Sequence, residues 1–202
     1  MIGCLSVIGP SCPLCGKRHC YREITPYWRY AIDLFPQFRK ERVPVARFLC
    51  RKFGRTFSLL PIHLIPYMLY TVGAVVRTLL AGFGCCRSGA QGFWGASIAV
   101  DPDSSVTPWL VFTWLRMVFC GLQRCHRTVS RWYNLRFLST CRNPSYWQTV
   151  GGYFEVFGWE GDSSWRRLCD VLSRYSRDAR SFLFGRPSQE RRRSGILSPA
   201  GC

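Results

Sequence analysis

The chain has 202 residues, of which 48% are hydrophobic and 15% aromatic, so it can bury one sizeable core or two small ones and disorder throughout is excluded. Its 28 Lys and Arg residues outnumber 11 Asp and Glu residues and give a formal net charge of +17. A charge of this size favours polyanionic partners, nucleic acid first and an anionic membrane surface second. A basic surface that only contacts water is the alternative.

The twelve cysteines give a second constraint, because the role of cysteine depends on the redox compartment. The first stretch, MIGCLSVIGPSC, has no basic start and too short an apolar run for a secretory signal peptide. We therefore expect a cytoplasmic protein, in which closely spaced cysteines hold a metal ion more often than they form disulfides.

Residues 10–60 are the first predicted element, a small zinc-ribbon-like β module. Near its start, CPLCG at 12–16 supplies two thiols in the spacing with which a knuckle grips one metal ion. A second knuckle would read Cys-x-x-Cys-Gly, but here Cys50 is followed three residues later by Phe53, which cannot ligate. The sequence therefore predicts one zinc ion and leaves its fourth ligand open.

Three interpretations of this zinc site remain open from the sequence. In the first, the stretch KRHCY supplies the fourth ligand from Cys20 or His19. The ligands are then Cys12, Cys15, Cys20 and Cys50. In the second, the site is degenerate and Phe53 fills the gap as part of the core. In the third, three thiols and a water molecule bind the ion weakly. No convincing general base accompanies the site, so a catalytic zinc is not expected.

CPLCG followed by RFLCRKFGRTFSLLPIHLIPY resembles a zinc-ribbon-like domain of unknown function found in bacterial transposase-related proteins. More broadly, it is similar to the ribbon that opens many insertion-sequence transposases and ends Cys-x-x-Cys-Gly-[Arg/Lys]-Thr-Phe-Ser. The resemblance covers residues 10–80, and GRTFSLLP at 54–61 is its most specific part, while Phe53 departs from the family pattern. It implies binding of transposon-end DNA and a helix-turn-helix after the ribbon.

Residues 67–135 are predicted to be mainly helical and helix-turn-helix-like, with YTVGAVVRTLLAG and SSVTPWLVFTWLRMV where the resemblance places such a module. In the second stretch Thr107 is a suitable N-cap and Pro108 a suitable first helical residue. At about 100° per residue, one polar sector gathers Thr113, Arg116, Gln123, Arg124, Arg127 and Arg131. The opposite side gathers Trp109, Val111, Leu115, Val118, Leu122 and Val129. The polar sector can contact phosphates and base edges, unless Gly121 breaks the helix and divides it.

The C-terminal part is predicted to be an amphipathic helix over 163–184, capped by Ser163 or Ser164, and then a disordered basic tail over 186–202. The apolar side of the helix gathers Trp165, Leu168, Cys169, Leu172, Tyr175, Ala179, Phe182 and Leu183. The expected fold class is therefore α+β, with the β module first and a mainly helical region after it.

These patterns favour a small double-stranded-DNA-binding protein of a mobile element, either an accessory factor or a remnant that lacks a catalytic domain. Phosphate contacts are assigned to Lys17, Arg18, Arg39, Lys40, Arg47, Arg51, Lys52 and Arg55. Groove contacts are assigned to the helix after Thr107, and a separate transposase is a candidate partner. No alternation of strands and helices carries the three carboxylates of a DDE-type catalytic domain, so neither enzymatic activity nor a small-molecule substrate is expected.

Two other classes of function stay open. A small basic membrane-associated protein can be built on the apolar segments 57–76 and 106–122. Pro61 and Pro66 interrupt the first segment and Arg116 lies within the second, so a membrane is the less favoured partner. A cysteine-rich interaction module that binds zinc and ignores DNA is the third class. Salt separates DNA binding, which weakens steeply with ionic strength, from insertion into a membrane.

Overall fold

The computed structural model describes residues 11–87, 92–100, 105–133, 135, 145–158, 164–179 and 182–184. Within these residues, three strands are followed by five helices: β1 (Tyr21–Asp33), β2 (Arg39–Cys50), β3 (Arg55–Leu59), α1 (Val72–Arg87), α2 (Gly92–Ile98), α3 (Pro108–Val129), α4 (Tyr146–Phe157) and α5 (Ser164–Ala179). The strands form one antiparallel sheet, so the expected α+β class is confirmed. The predicted basic tail, 186–202, lies outside the described residues.

The sheet has the order β1-β2-β3, and the strand-like runs of the sequence at 28–34 and 43–49 fall on its first two strands. The pairing of β1 with β2 shifts register after Ile24, beside Pro26, which has no N–H to donate to the ladder. β3 pairs only with the last five residues of β2, Ala46–Cys50. Among the described residues, the rest of β2 is paired on the β1 side alone, which suits Pro44 because a proline has no N–H to donate to a second strand.

The two ends of the sheet are held in different ways. Beside Cys50, the ring of Phe48 stacks on Phe57 at 5.4 Å and meets Tyr21 edge-on at 5.8 Å, which makes a small aromatic core. Towards the other end, the guanidinium of Arg29 donates hydrogen bonds to the carbonyl oxygens of Ile65 and Met68. These bonds tie the loop between β3 and α1 to one face of the sheet.

All five helices contribute buried residues to one hydrophobic core, which also takes in Ile32 and Leu34 from the end of β1. α1 begins where Thr71 caps it, since the hydroxyl oxygen of Thr71 accepts a hydrogen bond from the backbone N–H of Ala74 at 3.0 Å. The first turns of α1 are buried almost completely, with Arg77 the exposed exception before Leu80. The helices therefore pack against one another through their apolar faces.

The apolar segment 57–76 does not form one helix. It is divided between the end of β3, a loop that contains Pro61 and Pro66, and the first turn of α1. In the part of the chain that the structure describes, no helix combines the length and the apolar composition needed to cross a membrane.

α4 is absent from the sequence-based assignment, although its start carries a clear signal. The Ser145 hydroxyl accepts from the N–H of Gln148 at 3.2 Å, and the Gln148 side chain accepts from the N–H of Ser145 at 2.9 Å, which is a capping box. The helix ends at Gly158, whose φ of 61° is the left-handed conformation that glycine adopts without strain. A Ser-x-x-Gln pattern before an aromatic run was the signal that could have found it.

α3 confirms the predicted start and corrects its predicted apolar face. Thr107 accepts a hydrogen bond from the N–H of Leu110 at 3.3 Å, as expected of an N-cap. Trp109, however, is 73% exposed, while Trp114 is completely buried. Trp109 precedes Thr113 by four residues and so shares the polar side of the helix, where the sequence analysis had not placed it.

Gly121 does not break α3, because the helix continues through it and the backbone of Leu183 packs against it. A Cβ at this position would lie 2.4 Å from the Leu183 carbonyl oxygen. We expect Gly121→Ala to lower the free energy of unfolding by up to about 2 kcal/mol, since overpacking costs about 1–3 kcal/mol and the helix propensity of alanine offsets about 1 kcal/mol.

The matched control is Gly84→Ala in α1, where a Cβ meets nothing within 4 Å. This variant should raise the free energy of unfolding by about 0.5–1 kcal/mol. Chemical denaturation of both variants measures the two signs. A stabilising Gly121→Ala would contradict the close approach of Leu183.

α5 is shorter than the helix predicted over 163–184. Of its predicted apolar side, Leu168, Leu172 and Tyr175 are buried, and Val171 joins them. The segment 182–184 is not helical but buries Leu183 and Phe184, and the Leu183 backbone packs against Gly121 of α3. The expected cap residue Ser163, the side chains of Trp165 and Ala179, and Arg180 lie outside what the structure describes.

Candidate metal centre and basic surface

Three thiols near the start of the chain and a fourth from the end of β2 meet at one point. The Sγ atoms of Cys12, Cys15, Cys20 and Cys50 all lie within 4.8 Å of one another. The Sγ atoms of Cys15 and Cys20 are 2.9 Å apart, and those of Cys20 and Cys50 are 3.8 Å apart. All four cysteines are free, since a disulfide needs an S–S distance of about 2.05 Å. We call this group the thiol cluster; it is a possible metal site.

Two turns of the same kind build the thiol cluster. In the first, the N–H of Gly16 donates to the carbonyl oxygen of Cys12 at 2.8 Å, and in the second the N–H of Gly54 donates to Cys50 at 2.9 Å. Both glycines have positive φ, 71° and 60°, which is why this position takes glycine. The second knuckle therefore keeps the backbone of a metal-binding turn although Phe53 stands where the first has a cysteine.

Cys20 supplies the fourth thiol because of strand register. Its neighbour Tyr21 pairs with Cys50, and the carbonyl oxygen of Cys20 accepts a hydrogen bond from the N–H of Arg51 at 2.9 Å. The first sequence interpretation, in its Cys20 form, is therefore the one that the geometry favours. His19 is exposed and is not a member of the cluster.

Phe53 does not fill a gap in the core, so this part of the second sequence interpretation is wrong. Its ring is 50% exposed, and the ammonium nitrogen of Lys52 lies 5.1 Å from the ring centroid. The residue sits on the outside of the second turn, where its aromatic side chain contacts a cation rather than the thiols.

Without a metal ion the Cys20 thiol holds its proton. The hydrogen bond between the thiols of Cys15 and Cys20 raises the pKa of the Cys20 thiol above its ordinary value. A metal ion must displace this proton, because only the thiolate ligates. Metal binding at this site therefore releases protons and weakens as the pH falls.

The predicted phosphate-binding residues of the β module are exposed and follow the two turns. Lys17 and Arg18 come after Cys15 in the first turn. Arg51 and Lys52 come directly after Cys50, and Arg55 opens β3 opposite Cys50 in the register. The fold thus places basic side chains on both turns that carry the cluster. Arg39, Lys40 and Arg47 are also exposed, and Arg47 donates to the hydroxyl of Thr56 at 3.3 Å.

The predicted polar sector of α3 is exposed along the helix. Its members are Thr113, Arg116, Gln123, Arg124 and Arg127, and exposed Trp109 lies among them. The Thr113 hydroxyl donates to the backbone carbonyl of Trp109 at 3.0 Å, which occupies its proton within the helix. Arg131 is exposed but lies beyond Val129, where α3 ends. We call this exposed set the basic face of α3.

Sequence reasoning missed a group of aromatic residues on the sheet. Trp28 and Tyr30 are exposed on β1, and Arg42 lies beside both rings on β2. The pattern Trp-x-Tyr in one strand and Lys-x-Arg in the next was visible in the sequence. Only the pairing register shows that these residues share a face.

Comparisons with protein-family models, curated proteins and solved structures returned no match to this chain. The thiol cluster and the distribution of exposed charge are therefore the observations from which a function has to be argued.

Proposed function

We propose that the chain is a DNA-binding protein whose thiol cluster holds one zinc ion. Four cysteine thiolates are a common donor set of structural zinc sites, and Zn–S bonds of about 2.3 Å in a tetrahedron imply S–S distances of about 3.8 Å. The Sγ atoms of Cys20 and Cys50 have this spacing at 3.8 Å. Those of Cys15 and Cys20, at 2.9 Å, would separate by about 1 Å once their shared proton is lost.

The role of this zinc is structural rather than catalytic. Four protein ligands leave no open position for a substrate or an activated water molecule. The ion joins the turn at 12–16 to the end of β2, where the small core of Tyr21, Phe48 and Phe57 is the main apolar support. We accordingly propose a protein without enzymatic activity of its own.

The observation that carries the DNA-binding proposal is the set of exposed cations on the two zinc-binding turns. A zinc ion with four thiolates has a formal charge of about −2. Lys17, Arg18, Arg51, Lys52 and Arg55 outnumber that charge and remain exposed. Arginine forks and lysine ammonium groups held in this way suit the phosphate backbone of duplex DNA.

The basic face of α3 is the second proposed DNA contact. A helix of 22 residues with exposed arginines and Thr113 on one side has the length and chemistry to lie along a groove. α2 and α3 are separated by residues 99–107, which is longer than the three- to four-residue turn of a helix-turn-helix. We therefore propose α3 as a groove-contacting helix in a helix-turn-helix-like region, with a longer connection than the usual motif has.

The proposed context is a mobile element in a bacterial cytoplasm, with the chain as an accessory factor or a remnant beside a separate transposase. This part rests on the resemblance of CPLCG and GRTFSLLP to transposase-associated ribbons. The second glycine turn, Cys50 to Gly54, supports it because the backbone of a ribbon knuckle is kept where the cysteine is replaced.

Zinc content and salt dependence test the proposal together. The full chain, purified without histidine tags, should contain one zinc per chain by mass spectrometry of the metal. Fluorescence anisotropy with a random 20-base-pair duplex should show log K falling linearly with log salt, by about 0.9 for each phosphate contacted. Six contacts would cost on the order of a thousandfold in affinity between about 50 and 200 mM salt.

A pair of double variants with the same charge change shows where the phosphates bind. Arg51→Gln with Lys52→Gln should reduce the salt slope by about 1.8, whereas Arg166→Gln with Arg177→Gln, exposed on α5, should leave it nearly unchanged. Equal losses in both pairs would argue against a site at the turns. Zinc without any DNA binding would favour the cysteine-rich interaction module instead.

A further inference from the structure

One face of the β1–β2 hairpin carries rings where a sheet usually carries aliphatic or polar side chains. Trp28 is 57% exposed and Tyr30 is 45% exposed, two residues apart on β1. In the register Trp28 lies opposite Pro44 and Tyr30 lies opposite Arg42. Since alternate residues of a strand share a face, these side chains and Lys40 lie on the same side of the hairpin.

The cations of this face are arranged around the rings. The ammonium nitrogen of Lys40 is 4.5 Å from the centroid of the Tyr30 ring. The guanidinium carbon of Arg42 is 5.7 Å from the Trp28 centroid and 5.9 Å from the Tyr30 centroid. The acidic residue of this segment, Glu41, points to the opposite face by strand alternation and pairs with Arg39. The four side chains of this face, Trp28, Tyr30, Lys40 and Arg42, are therefore aromatic or cationic, and none of them is a carboxylate.

The opposite side of the hairpin is occupied around Arg29, whereas this side is exposed at Trp28 and Tyr30 and becomes buried at Ile32, where it joins the main core. Arg29, which alternates to the other face, is bonded to the loop carbonyls of Ile65 and Met68. Trp28 and Tyr30 instead keep about half of their surface in water. Exposed rings contribute little to folding, and exposed aromatic side chains next to arginine are enriched at binding surfaces.

We propose that Trp28, Tyr30, Lys40 and Arg42 form a stacking platform for single-stranded nucleic acid. Rings two residues apart on one strand are about 7 Å apart, so each can receive one of two successive unstacked bases while Lys40 and Arg42 hold the phosphates. A duplex hides the faces of its bases within its own stack and cannot use such rings. This proposal rests on the proposed function, because both require that the chain binds nucleic acid. It differs in that the bound strand is single and the site lies on the hairpin.

Charge argues for this occupant over a second copy of the chain. Two copies pairing through this face would bring Lys40 and Arg42 against their own equivalents, and each copy has a formal net charge of +17. A nucleic-acid strand supplies bases that can stack on the two rings, and it supplies the negative charge that the platform lacks. DNA and RNA share this chemistry, so the test includes both.

The experiment compares three 12-nucleotide probes, oligo-dT, oligo-rU and an abasic DNA strand with the same phosphates, by anisotropy at fixed salt. For the wild-type chain, oligo-dT or oligo-rU should bind more tightly than the abasic strand. Trp28→Leu should weaken binding of the based strand by at least about fivefold, the lower end of one lost stacking contact, and leave the abasic strand unchanged. The matched control is Trp94→Leu on α2, where the ring is 58% exposed and lies outside the hairpin, and its effect should stay within about twofold.

The outcomes separate this proposal from the duplex-binding one. If duplex binding holds but Trp28→Leu leaves every probe unchanged, or weakens the abasic strand equally, the platform is overturned and the proposed function stands. If single strands bind through Trp28 and the duplex does not bind, the platform stands and the proposed function fails. A change in oligomeric state on Trp28→Leu without any strand binding overturns the platform in favour of a self-association surface. Equal zinc content and melting temperature confirm that Trp28→Leu folds, as its exposure predicts.

Discussion

Replacing Cys20 with serine is expected to remove zinc from the protein, whereas adding a thiol by Phe53→Cys should leave one zinc per chain. Cys20 is a member of the thiol cluster, with its Sγ 3.8 Å from that of Cys50, whereas Phe53 lies half-exposed outside it. Altering even the outer partners of a metal ligand costs about 10–100-fold in affinity, so loss of a ligand should cost more than about 100-fold.

A competition titration with a chromophoric zinc chelator measures these affinities. The matched control is Cys120→Ser, because Cys120 is an exposed cysteine on α3 outside the cluster and should not affect zinc. If Cys20→Ser keeps its zinc while Phe53→Cys tightens binding, the ribbon is a degenerate Cys-x-x-Cys pair and the fourth ligand has been assigned wrongly.

The same variants should also reveal how far the zinc supports the fold. Apparent zinc-binding free energies of about 10–16 kcal/mol in small zinc modules are largely folding free energy. The main core, however, is built mostly from helical residues, and none of the four cysteines of the thiol cluster belongs to it. Zinc loss should therefore unfold the turn at 12–16 and leave the far-ultraviolet helical signal almost unchanged.

The members of the thiol cluster differ in how far the sequence alone predicts their position. Cys12 and Cys15 are local, since a five-residue turn ending in glycine determines their geometry. Cys20 depends on which residue of β1 lies beside Cys50, and strand register is not visible in a single sequence. For that reason the sequence could suggest Cys20 as the fourth ligand but could not exclude His19, a degenerate site or a site with three thiols.

Strand register also limited what the sequence could predict about the exposed face of the sheet. The alternation of rings on β1 could be seen, but the register shift between Ile24 and Tyr27 changes which residues share a face with those of β2. The aromatic and cationic face therefore emerged only from the paired strands. In the helical region the sequence predicted the N-cap at Thr107 correctly. It did not predict that Trp109 is exposed and that Trp114 is buried.

Trp114→Ala is expected to cost about 3–5 kcal/mol of unfolding free energy, the usual range for a large aromatic residue removed from a core. Trp114 is completely buried, and the ring of Tyr70 packs edge-on against it at 4.8 Å. Its indole nitrogen has no hydrogen-bond partner among the described residues, so the loss reflects packing and the cavity left behind rather than a broken hydrogen bond.

Trp109→Ala, in the same helix, should change the unfolding free energy by no more than about 0.5 kcal/mol, since the side chain is 73% exposed. Urea denaturation of the zinc-loaded chains, followed by the helical signal, compares the two tryptophans under one condition. Because helical periodicity alone places Trp109 near its polar neighbour Thr113, a large loss at position 109 and a small one at 114 would mean that α3 is rotated about its axis. The basic face proposed to meet DNA would then point into the core, so this pair of variants tests the orientation on which the groove contact depends.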